Sequence, residues 1–423
     1  MRRLLITLTV LIAIDGQVTT VIAQNSGARK FTFGAAATGD DAIHITTATR
    51  YTDVPGFGFE GGGRGEVTAR SAAGAQPFFF SVKVPEGNYR VSVTTGELEN
   101  DAVTTVRAEL RRLMVETVRT VPGEFKRSEF VVNVRRPAIA GGGEVRLKDR
   151  ERTSEWRAWD DRLTLEFGGA RPAVAAIEIE PVSDLPVLYL IGDSTVCDQP
   201  VEPYASWGQM LTRFFKSTIA VANHAESGES FRSSQGAGRF TKIFNQMKAG
   251  DYLIMQFGHN DMKAVDEASY AASIREVVAT CRAKGGIPIV VSPMERRGFD
   301  DNGKIRDSLR GFPDAARKTA EELGVAFIDL HVMSKVLYET LGPEKAPIAF
   351  ALAGGQRDGT HHNNYGSYQL AKCMVDGIQR QAPDLARHLI EGLTTFDPAR
   401  PDEVESFSLA PSGDFGSAPP DGN

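Results

Sequence analysis

A serine lies where a short apolar run gives way abruptly to polar residues. The run 188–191 has the character of a strand, and the tetrapeptide GDST, with Ser194 as its third residue, follows it. A serine in this position is either a turn or helix-capping residue or a nucleophile. A nucleophile requires a base that takes its proton, a group that orients the base, and N–H donors for the oxyanion. The choice therefore depends on partners elsewhere in the chain.

Candidate partners for proton transfer stand together late in the chain, in the segment RDGTHHNNYG. Asp358 precedes His361 by three residues, just before a predicted helix. At this spacing a tight loop can present both side chains to one pocket, where the imidazole acts as general base and the carboxylate holds its Nδ1–H. From the residues alone, His362 fits the role of base as well as His361 does, and Asp358 also fits that of a turn or cap residue.

Candidate oxyanion donors follow two other predicted strands. The segment YLIMQFGHND ends a strand near Asn260, whose side-chain amide can face a developing negative charge. The segment VANHAESG ends another near Gly228, and a glycine permits close approach of its backbone N–H. The N–H of Ser194 itself would be the third donor. The competing interpretation of Asn260 is an Asx turn that closes the strand.

Four blocks, in this order, resemble the SGNH (GDSL-like) hydrolase family: 192–195, Gly228, 258–261 and 358–361. The resemblance covers about residues 188–380, and the segments SWGQML and DGTHHNNYG are similar to those of its rhamnogalacturonan acetylesterase branch. It implies a flavodoxin-like fold and hydrolysis of acetyl esters on pectin backbones. It implies no metal and no cofactor.

The same resemblance assigns the site residues. It makes Ser194 the nucleophile, His361 the base and Asp358 the carboxylate that orients the base. The oxyanion hole that it implies is formed by Ser194, Gly228 and Asn260.

Three further residues are predicted to bind substrate. Arg232 and Arg297 follow strand ends, and the arginine fork suits the carboxylates of an acidic polysaccharide. Trp207 resembles a motif tryptophan near the cleft. Solvated charged loops and helix packing are the competing interpretations. The predicted partner is therefore an acetylated, pectic polysaccharide. The alternatives are an esterase of acetylated xylan or small esters, and a non-catalytic carbohydrate-binding protein.

Residues 186–394 are predicted to form the domain that positions these groups. Apolar strands alternate there with amphipathic helices, a pattern typical of a parallel sheet of five strands between helices, in which ligands bind at the carboxyl ends of the strands. The predicted strands are 187–191, 219–223, 252–256, 288–292 and 325–328. The predicted helices are 207–216, 239–247, 266–284, 309–323 and 365–380.

The segments on either side of this domain differ from it in residue pattern and composition. In 30–182, short β-like runs are separated by Gly, Pro and Asn at a spacing of roughly ten residues, which predicts an all-β sandwich. That segment is similar to the galactose-binding-like β-domains that often precede the catalytic domain in this branch. The tail 397–423 is rich in Pro, Gly, Asp and Ser, which predicts disorder.

The N-terminus has the layout of a secretory signal peptide. Arg2 and Arg3 precede the apolar run 4–14, and small residues end at Ala23, after which we predict cleavage. The apolar run is short for a membrane span, and Asp15 interrupts it. We therefore expect an exported protein, periplasmic or secreted, with no membrane span after cleavage.

Composition excludes some classes of protein. The chain of 423 residues carries 48 Lys and Arg against 54 Asp and Glu, and a net charge of −6 argues against binding of nucleic acid. Its three cysteines cannot form a dense disulfide framework, and their spacing fits no zinc site. The sequence indicates no oligomeric state.

Overall fold

A computed structural model describes residues 27–34, 41–61 and 65–413. The predicted signal peptide, 1–23, lies outside the described residues, and so does the end of the predicted tail, 414–423. Up to residue 182 the described chain consists mainly of strands, and after residue 186 strands alternate with helices.

The first part consists of two β-sheets. Its strands are β1 (Arg29–Phe33), β2 (Ile43–Ile45), β3 (Phe57–Glu60), β4 (Glu66–Val67), β5 (Ala72–Ala73), β6 (Phe78–Lys83), β7 (Gly87–Thr95), β8 (Ala102–Ala108), β9 (Arg112–Thr120), β10 (Lys126–Val134), β11 (Arg162–Arg171) and β12 (Ala173–Val182), with the short helix α1 (Asp149–Arg152) between β10 and β11. One sheet has the order β10-β7-β12-β1-β2, with β5 and β4 attached to β12, and the other has the order β3-β6-β11-β8-β9.

Aromatic side chains fill the space between these two sheets. Phe31 and Phe33 of β1 each lie edge to face against Phe80 of β6, with ring centroids 5.3 Å apart in both pairs. All three rings are buried. Edge-to-face pairs at this distance add to the stabilisation that burial of the rings provides. The β-rich part therefore has a hydrophobic core of its own, as a β-sandwich requires.

The second part is built on parallel strands. They are β13 (Val187–Gly192), β14 (Ala220–Asn223), β15 (Tyr252–Gln256), β16 (Ile287–Val291) and β17 (Ala326–Ile328). The helices are α2 (Trp207–Leu211), α3 (Phe231–Gly236), α4 (Arg239–Gln246), α5 (Glu267–Ala283), α6 (Phe312–Leu323), α7 (Leu330–Lys345), α8 (Asn364–Gln381) and α9 (Pro383–Ala386), and a hairpin of β18 (Phe350–Ala353) and β19 (Gln356–His362) precedes α8.

The five parallel strands form one sheet in the order β14-β13-β15-β16-β17. Every residue of β13 is buried, as expected of a strand that is covered on both faces. The predicted fold class, a parallel sheet of five strands between helices preceded by an all-β sandwich, is confirmed.

Several elements differ from the sequence-based expectation. The predicted helix 207–216 is divided into α2 and a 3₁₀ turn, Thr212–Phe214. The short helix α3, the helix α7 and the hairpin β18–β19 were absent from the predicted elements. The hairpin matters most for the site, because Asp358 and His361 lie on its second strand and not in a loop.

The prediction of disorder for 397–423 is wrong for residues 397–413. The Asp402 carboxylate accepts hydrogen bonds from Lys372 Nζ at 2.6 Å and from Gln369 Nε2 at 2.9 Å, both on α8. Farther along, Ser412 Oγ donates to the buried carboxylate of Glu166 on β11 at 3.0 Å. The segment lacks apolar residues for a core of its own, but specific polar contacts hold it against both parts of the chain.

Two further features of the described residues concern membrane crossing and disulfide bonds. Within 27–34, 41–61 and 65–413, no helix combines the length and the apolar character that a membrane crossing needs. The three cysteines, Cys197, Cys281 and Cys373, are buried free thiols, so none of them forms a disulfide.

Candidate active site

Ser194 follows the carboxyl end of β13 in a turn that Asp193 shapes. One carboxylate oxygen of Asp193 accepts hydrogen bonds from the backbone N–H of Thr195 at 3.0 Å and from its hydroxyl at 2.8 Å. The other oxygen lies 3.3 Å from His259 Nδ1. Burial disfavours the charge of Asp193, but His259 and the hydrogen bonds from Thr195 outweigh it and lower the pKa of the carboxyl. Both oxygens of Asp193 thus hold the turn that presents Ser194.

Three side chains that are far apart in sequence form a hydrogen-bonded relay. His361 Nε2 lies 2.8 Å from Ser194 Oγ, and His361 Nδ1 lies 2.8 Å from Asp358 Oδ2. Both distances are those of strong hydrogen bonds. Ser194 and His361 are 3% and 2% exposed, so the relay operates where few waters compete with it. This arrangement can pass the serine proton to the imidazole and stabilise the resulting imidazolium.

The short strand β19 positions the base and its carboxylate together. The second oxygen of Asp358 accepts the backbone N–H of Thr360 at 2.6 Å and that of His361 at 2.9 Å. Burial disfavours the charged carboxylate, but its bonds to His361 and to these N–H groups hold the pKa of Asp358 well below its usual range. Asp358 therefore stays ionised and fixes the imidazole orientation.

His362, the alternative base, points away from Ser194. Its Nε2 lies 2.8 Å from the hydroxyl of Tyr338 on α7, and its ring packs against Phe350 with centroids 4.3 Å apart. Burial, with a smaller contribution from His361, lowers the pKa of His362 to about 3. His362 is thus an uncharged core residue.

The buried state of His362 leads to a test of stability against pH. In the unfolded chain a histidine has a pKa of about 6.5, so between that pH and pH 3 the unfolded chain binds a proton that folded His362 does not. Stability is therefore lost as pH falls, by about 2–3 kcal/mol from this group between pH 6.5 and 4.5. The His362→Gln variant has no such titrating group at this position. Its free energy of unfolding should therefore fall less than that of wild type on acidification, and the difference between the two proteins should shrink. Urea unfolding at the two pH values measures it, and parallel losses in both proteins would contradict it.

The predicted oxyanion donors lie around the turn of Ser194. Within the described part of the chain, the backbone N–H groups of Ser194 and Gly228 donate no hydrogen bond to another protein atom. Gly228 has a φ of 75°, a left-handed conformation that favours glycine. The half-buried Asn260 donates one amide N–H to the carbonyl of Glu229 at 3.0 Å, which anchors it beside Gly228. An amide carries two N–H donors, so one remains for a ligand.

Trp207, which was predicted to bind substrate, lies inside the protein, in agreement with the competing interpretation of helix packing. It is fully buried, and its Nε1–H donates to Gln256 Oε1 at 2.9 Å. The amide of Gln256 donates in turn to Thr195 Oγ1 at 2.6 Å, next to Ser194. Trp207 therefore supports the nucleophile turn from behind, and a motif tryptophan could not be distinguished from a cleft residue by sequence alone.

The two predicted substrate-binding arginines occupy different positions. Arg232 lies exposed on α3, beside Ser230 and Asp261 in a surface depression. Arg297 is half-buried, its backbone N–H donates to Gly359 O at 2.8 Å, and it therefore borders the strand that carries Asp358. The structure brings Arg297 to the relay and gives no such link for Arg232.

The sequence-based reasoning missed two arginines of the β-rich part that support the nucleophile loop. Arg112 Nε donates to the buried carboxylate of Asp198 at 2.7 Å, and Arg111 Nη1 donates to Gln199 O at 3.0 Å. Gln199 Nε2 in turn donates to the carbonyl of Ser194 at 2.7 Å. Both arginines follow β8 at the tight turn into β9, where Arg111 has a φ of 60°. No local pattern in the sequence connects residues 111 and 112 with the region of Ser194.

The same turn reaches the strand of the base. Arg111 also donates to the carbonyl of Tyr204 at 3.0 Å and lies 3.3 Å from Glu202. The next residue, Ala205, donates its N–H to the carbonyl of His362 at 2.9 Å. The loop between Ser194 and α2 is therefore held between the β-rich part on one side and β19 on the other.

Comparisons with known proteins relate the chain to esterases. Residues 190–367 match the GDSL-like lipase/acylhydrolase family. The rhamnogalacturonan acetylesterase RhgT of Bacillus subtilis (strain 168) is 37% identical over 217 residues, which are 48% of this chain and 94% of that protein. The uncharacterized esterase YxiM of the same organism is 28% identical over 391 residues, which are 86% of this chain and 94% of that protein.

Solved structures resemble the chain over similar lengths. The crystal structure of the YxiM protein from Bacillus subtilis covers 87% of this chain and all of that chain, at 24% identity and a TM-score of 0.45. That of Axe2, an acetylxylan esterase from Geobacillus stearothermophilus, covers 47% of this chain and 95% of that chain, at 17% identity and a TM-score of 0.37.

Proposed function

The chain belongs to the GDSL-like lipase/acylhydrolase family and is a serine ester hydrolase, and from this premise we propose that it removes acetyl groups from an acidic, pectin-type polysaccharide. The observation that carries the proposal is the relay of Ser194, His361 and Asp358, with 2.8 Å at each contact. We infer the specificity for acetyl esters from the rhamnogalacturonan acetylesterase to which the chain is 37% identical.

The proposed cycle has two halves. His361 takes the proton of Ser194 as the hydroxyl attacks the acetyl carbonyl, and it then protonates the departing sugar oxygen. Water then attacks the carbonyl of the acetyl-serine while the same imidazole takes its proton, and the imidazolium returns this proton to Ser194 Oγ as the ester bond breaks and acetate leaves. The negative oxygen of each tetrahedral intermediate accepts hydrogen bonds from the N–H groups of Ser194 and Gly228 and from the Asn260 amide.

The charge around the relay supports an anionic substrate. Arg297 lies close enough to Arg357 that burial and this like charge together lower its pKa. Arg296 donates to the carbonyl of His259 at 3.4 Å, and Lys263 lies near enough for the charge of Arg296 to lower the lysine pKa in addition to burial. A uronate carboxylate would relieve the repulsion between these cations, which a neutral xylan chain cannot do.

Acetate release distinguishes the possible substrates. We expect faster release from acetylated rhamnogalacturonan than from acetylated xylan, with p-nitrophenyl acetate as a positive control for the esterase reaction. Release from xylan at an equal or higher rate would contradict the pectic assignment. Acetate release from p-nitrophenyl acetate alone would contradict a polysaccharide substrate and would indicate an esterase that acts on small esters.

Arg297→Gln tests the role of charge in substrate binding. Removal of one charge-assisted contact, worth about 1.5–3 kcal/mol, should raise KM for acetylated rhamnogalacturonan oligosaccharides about tenfold or more, with little change in kcat. KM for acetylated xylan oligosaccharides and p-nitrophenyl acetate should stay unchanged. Arg387→Gln, at an arginine whose side chain is 78% exposed, is the matched control. An equal rise in KM for all substrates would contradict recognition of the carboxylate.

The proposal includes export and a division into two domains. The charged and apolar pattern of residues 1–23 supports export, since a polymeric pectin is found outside cells and the signal-peptide layout provides the route. The separate core of the β-sandwich supports boundaries near 30–182 and 186–394. N-terminal sequencing of the mature protein would test cleavage after Ala23.

A further inference from the structure

We propose that Glu295, Asp307 and His331 form a binding site for a divalent metal ion of the zinc type. They contribute two carboxylates and an imidazole, and one ligand atom from each lies within 4.8 Å of the other two. The site lies beyond the carboxyl end of β16, between the loop that follows this strand and the beginning of α7. It is separate from the relay of Ser194 and independent of the proposed substrate.

Glu295 is the buried centre of this cluster. Its side chain is 0% exposed, and its Oε1 accepts the hydroxyl of Ser308 at 2.5 Å and the backbone N–H of Arg296 at 2.8 Å. Its Oε2, by contrast, is buried and has no hydrogen-bond partner among the described residues. A buried carboxylate oxygen without a partner is costly unless a cation or donor reaches it. The contacts of Oε1 fix the carboxylate so that Oε2 is held in one direction.

That direction is toward His331. The Nδ1 atom of His331 lies 3.7 Å from Oε2, too far for a hydrogen bond, and it too is buried without a partner among the described residues. The backbone N–H of His331 donates to Ser292 Oγ at 2.9 Å, which anchors the first turn of α7. Two facing atoms that could both bind a cation are therefore separated by more than direct contact allows.

The spacing and the chemistry suit a metal ion between them. Ligand atoms at about 2.1 Å from one ion and at roughly tetrahedral angles lie about 3.4 Å apart, close to the observed separation. The exposed carboxylate of Asp307 supplies a third ligand and a second negative charge, so the set is electrically neutral with a divalent ion and neutral imidazole. Zinc accepts imidazole nitrogen together with carboxylate oxygens, whereas calcium prefers oxygen ligands alone.

A bound ion would join the loop after β16 to α7. That loop carries Arg296 and Arg297, whose backbone contacts reach Glu295 and Gly359 respectively. The metal would thus have a structural role, holding the loop at its base, and no step of ester hydrolysis requires it.

Zinc binding to the purified, untagged, EDTA-treated full chain tests the site. We expect titration calorimetry to show one Zn²⁺ per chain, and His331→Gln and Glu295→Gln each to weaken binding at least about tenfold. At a Zn²⁺ concentration that saturates wild type, the thermal midpoint should rise more for wild type than for either variant. His388→Ala removes a part-exposed histidine elsewhere on the chain and is the control, for which wild-type affinity is expected.

Several results would overturn the site. Absence of Zn²⁺ binding would mean that Glu295 and His331 interact only by charge, without a metal ion between them. Unchanged affinity of His331→Gln for Zn²⁺ would place the bound zinc elsewhere. Binding of Ca²⁺ in preference to Zn²⁺ would contradict a site of the zinc type. Because His331 is only partly buried, its variant should fold even where Glu295→Gln does not, and circular dichroism verifies this.

Discussion

Ser194→Ala is expected to lower kcat for ester hydrolysis by about 10⁴- to 10⁶-fold, by analogy with removal of the nucleophile in other serine hydrolases. In the proposed cycle the serine Oγ forms the covalent acyl intermediate, and it lies 2.8 Å from His361 Nε2. The serine side chain is small, and its hydroxyl is hydrogen-bonded to His361, so removal of the hydroxyl should lower the free energy of unfolding only slightly. Hydrolysis of p-nitrophenyl acetate by the purified variant, with a thermal melt, measures both effects.

Two histidine variants provide the controls for this result. His361→Ala should lose activity to a similar degree, because the base is then absent, whereas His362→Gln should retain much of it. His362 contacts Tyr338 on its far side, and glutamine can keep that hydrogen bond. Near-wild-type turnover of Ser194→Ala would refute the nucleophile, and equal collapse of both histidine variants would leave the base unassigned.

Arg112→Ala is expected to lower the free energy of unfolding by about 3–5 kcal/mol, the usual effect of removing one partner of a buried ion pair. Arg112 and Asp198 are 2% and 3% exposed, so the substitution leaves the Asp198 carboxylate buried without its ion-pair partner, although the amide of Asn223 still donates to it at 2.9 Å. Because Asp198 belongs to the loop behind Ser194, kcat should fall as well, by about 10²-fold if the serine shifts by an ångström. Chemical unfolding and steady-state kinetics measure the two effects.

The matched control is an ion pair on the surface of the same sandwich. Arg127 and Glu178 lie 3.1 Å apart but are 53% and 38% exposed, so Arg127→Ala should cost under about 1 kcal/mol and leave kcat unchanged. The double variant Arg112→Ala/Asp198→Ala should recover part of the stability, because no charge is then left without a partner. If Arg112→Ala behaves like Arg127→Ala, the β-rich part does not support the nucleophile loop.

The proximity of the predicted site residues follows from the fold class, because parallel strands end on one edge of the sheet. Ser194 and Asn260 lie in the segments that follow apolar strands with clear boundaries, so their convergence was expected. The choice between His361 and His362 had no such basis in the residues. It depends on the register of β19, where the two neighbouring side chains point in opposite directions.

Other features arise from contacts between distant segments, which leave no local pattern. Arg111 and Arg112 look like ordinary charged turn residues until the nucleophile loop packs against them. In α7, the Gly342-Pro343 pair interrupts the helical pattern, and Gly342 has a non-helical φ of 73°, so the sequence of this region resembles a loop. The segment 397–413 has the composition of a disordered tail, and its contacts with distant elements, among them α8 and β11, give it a fixed position.

The placement of the tryptophans has a practical consequence for spectroscopy. The chain has three, of which Trp156 and Trp159 belong to the sandwich and Trp207 lies behind the turn of Ser194. In a protein with phenylalanine at 156 and 159, indole emission would come from a single fluorophore that is connected through Gln256 to Thr195. Quenching and lifetime measurements on that fluorophore would then follow the immediate surroundings of the reactive hydroxyl in real time, without a dye.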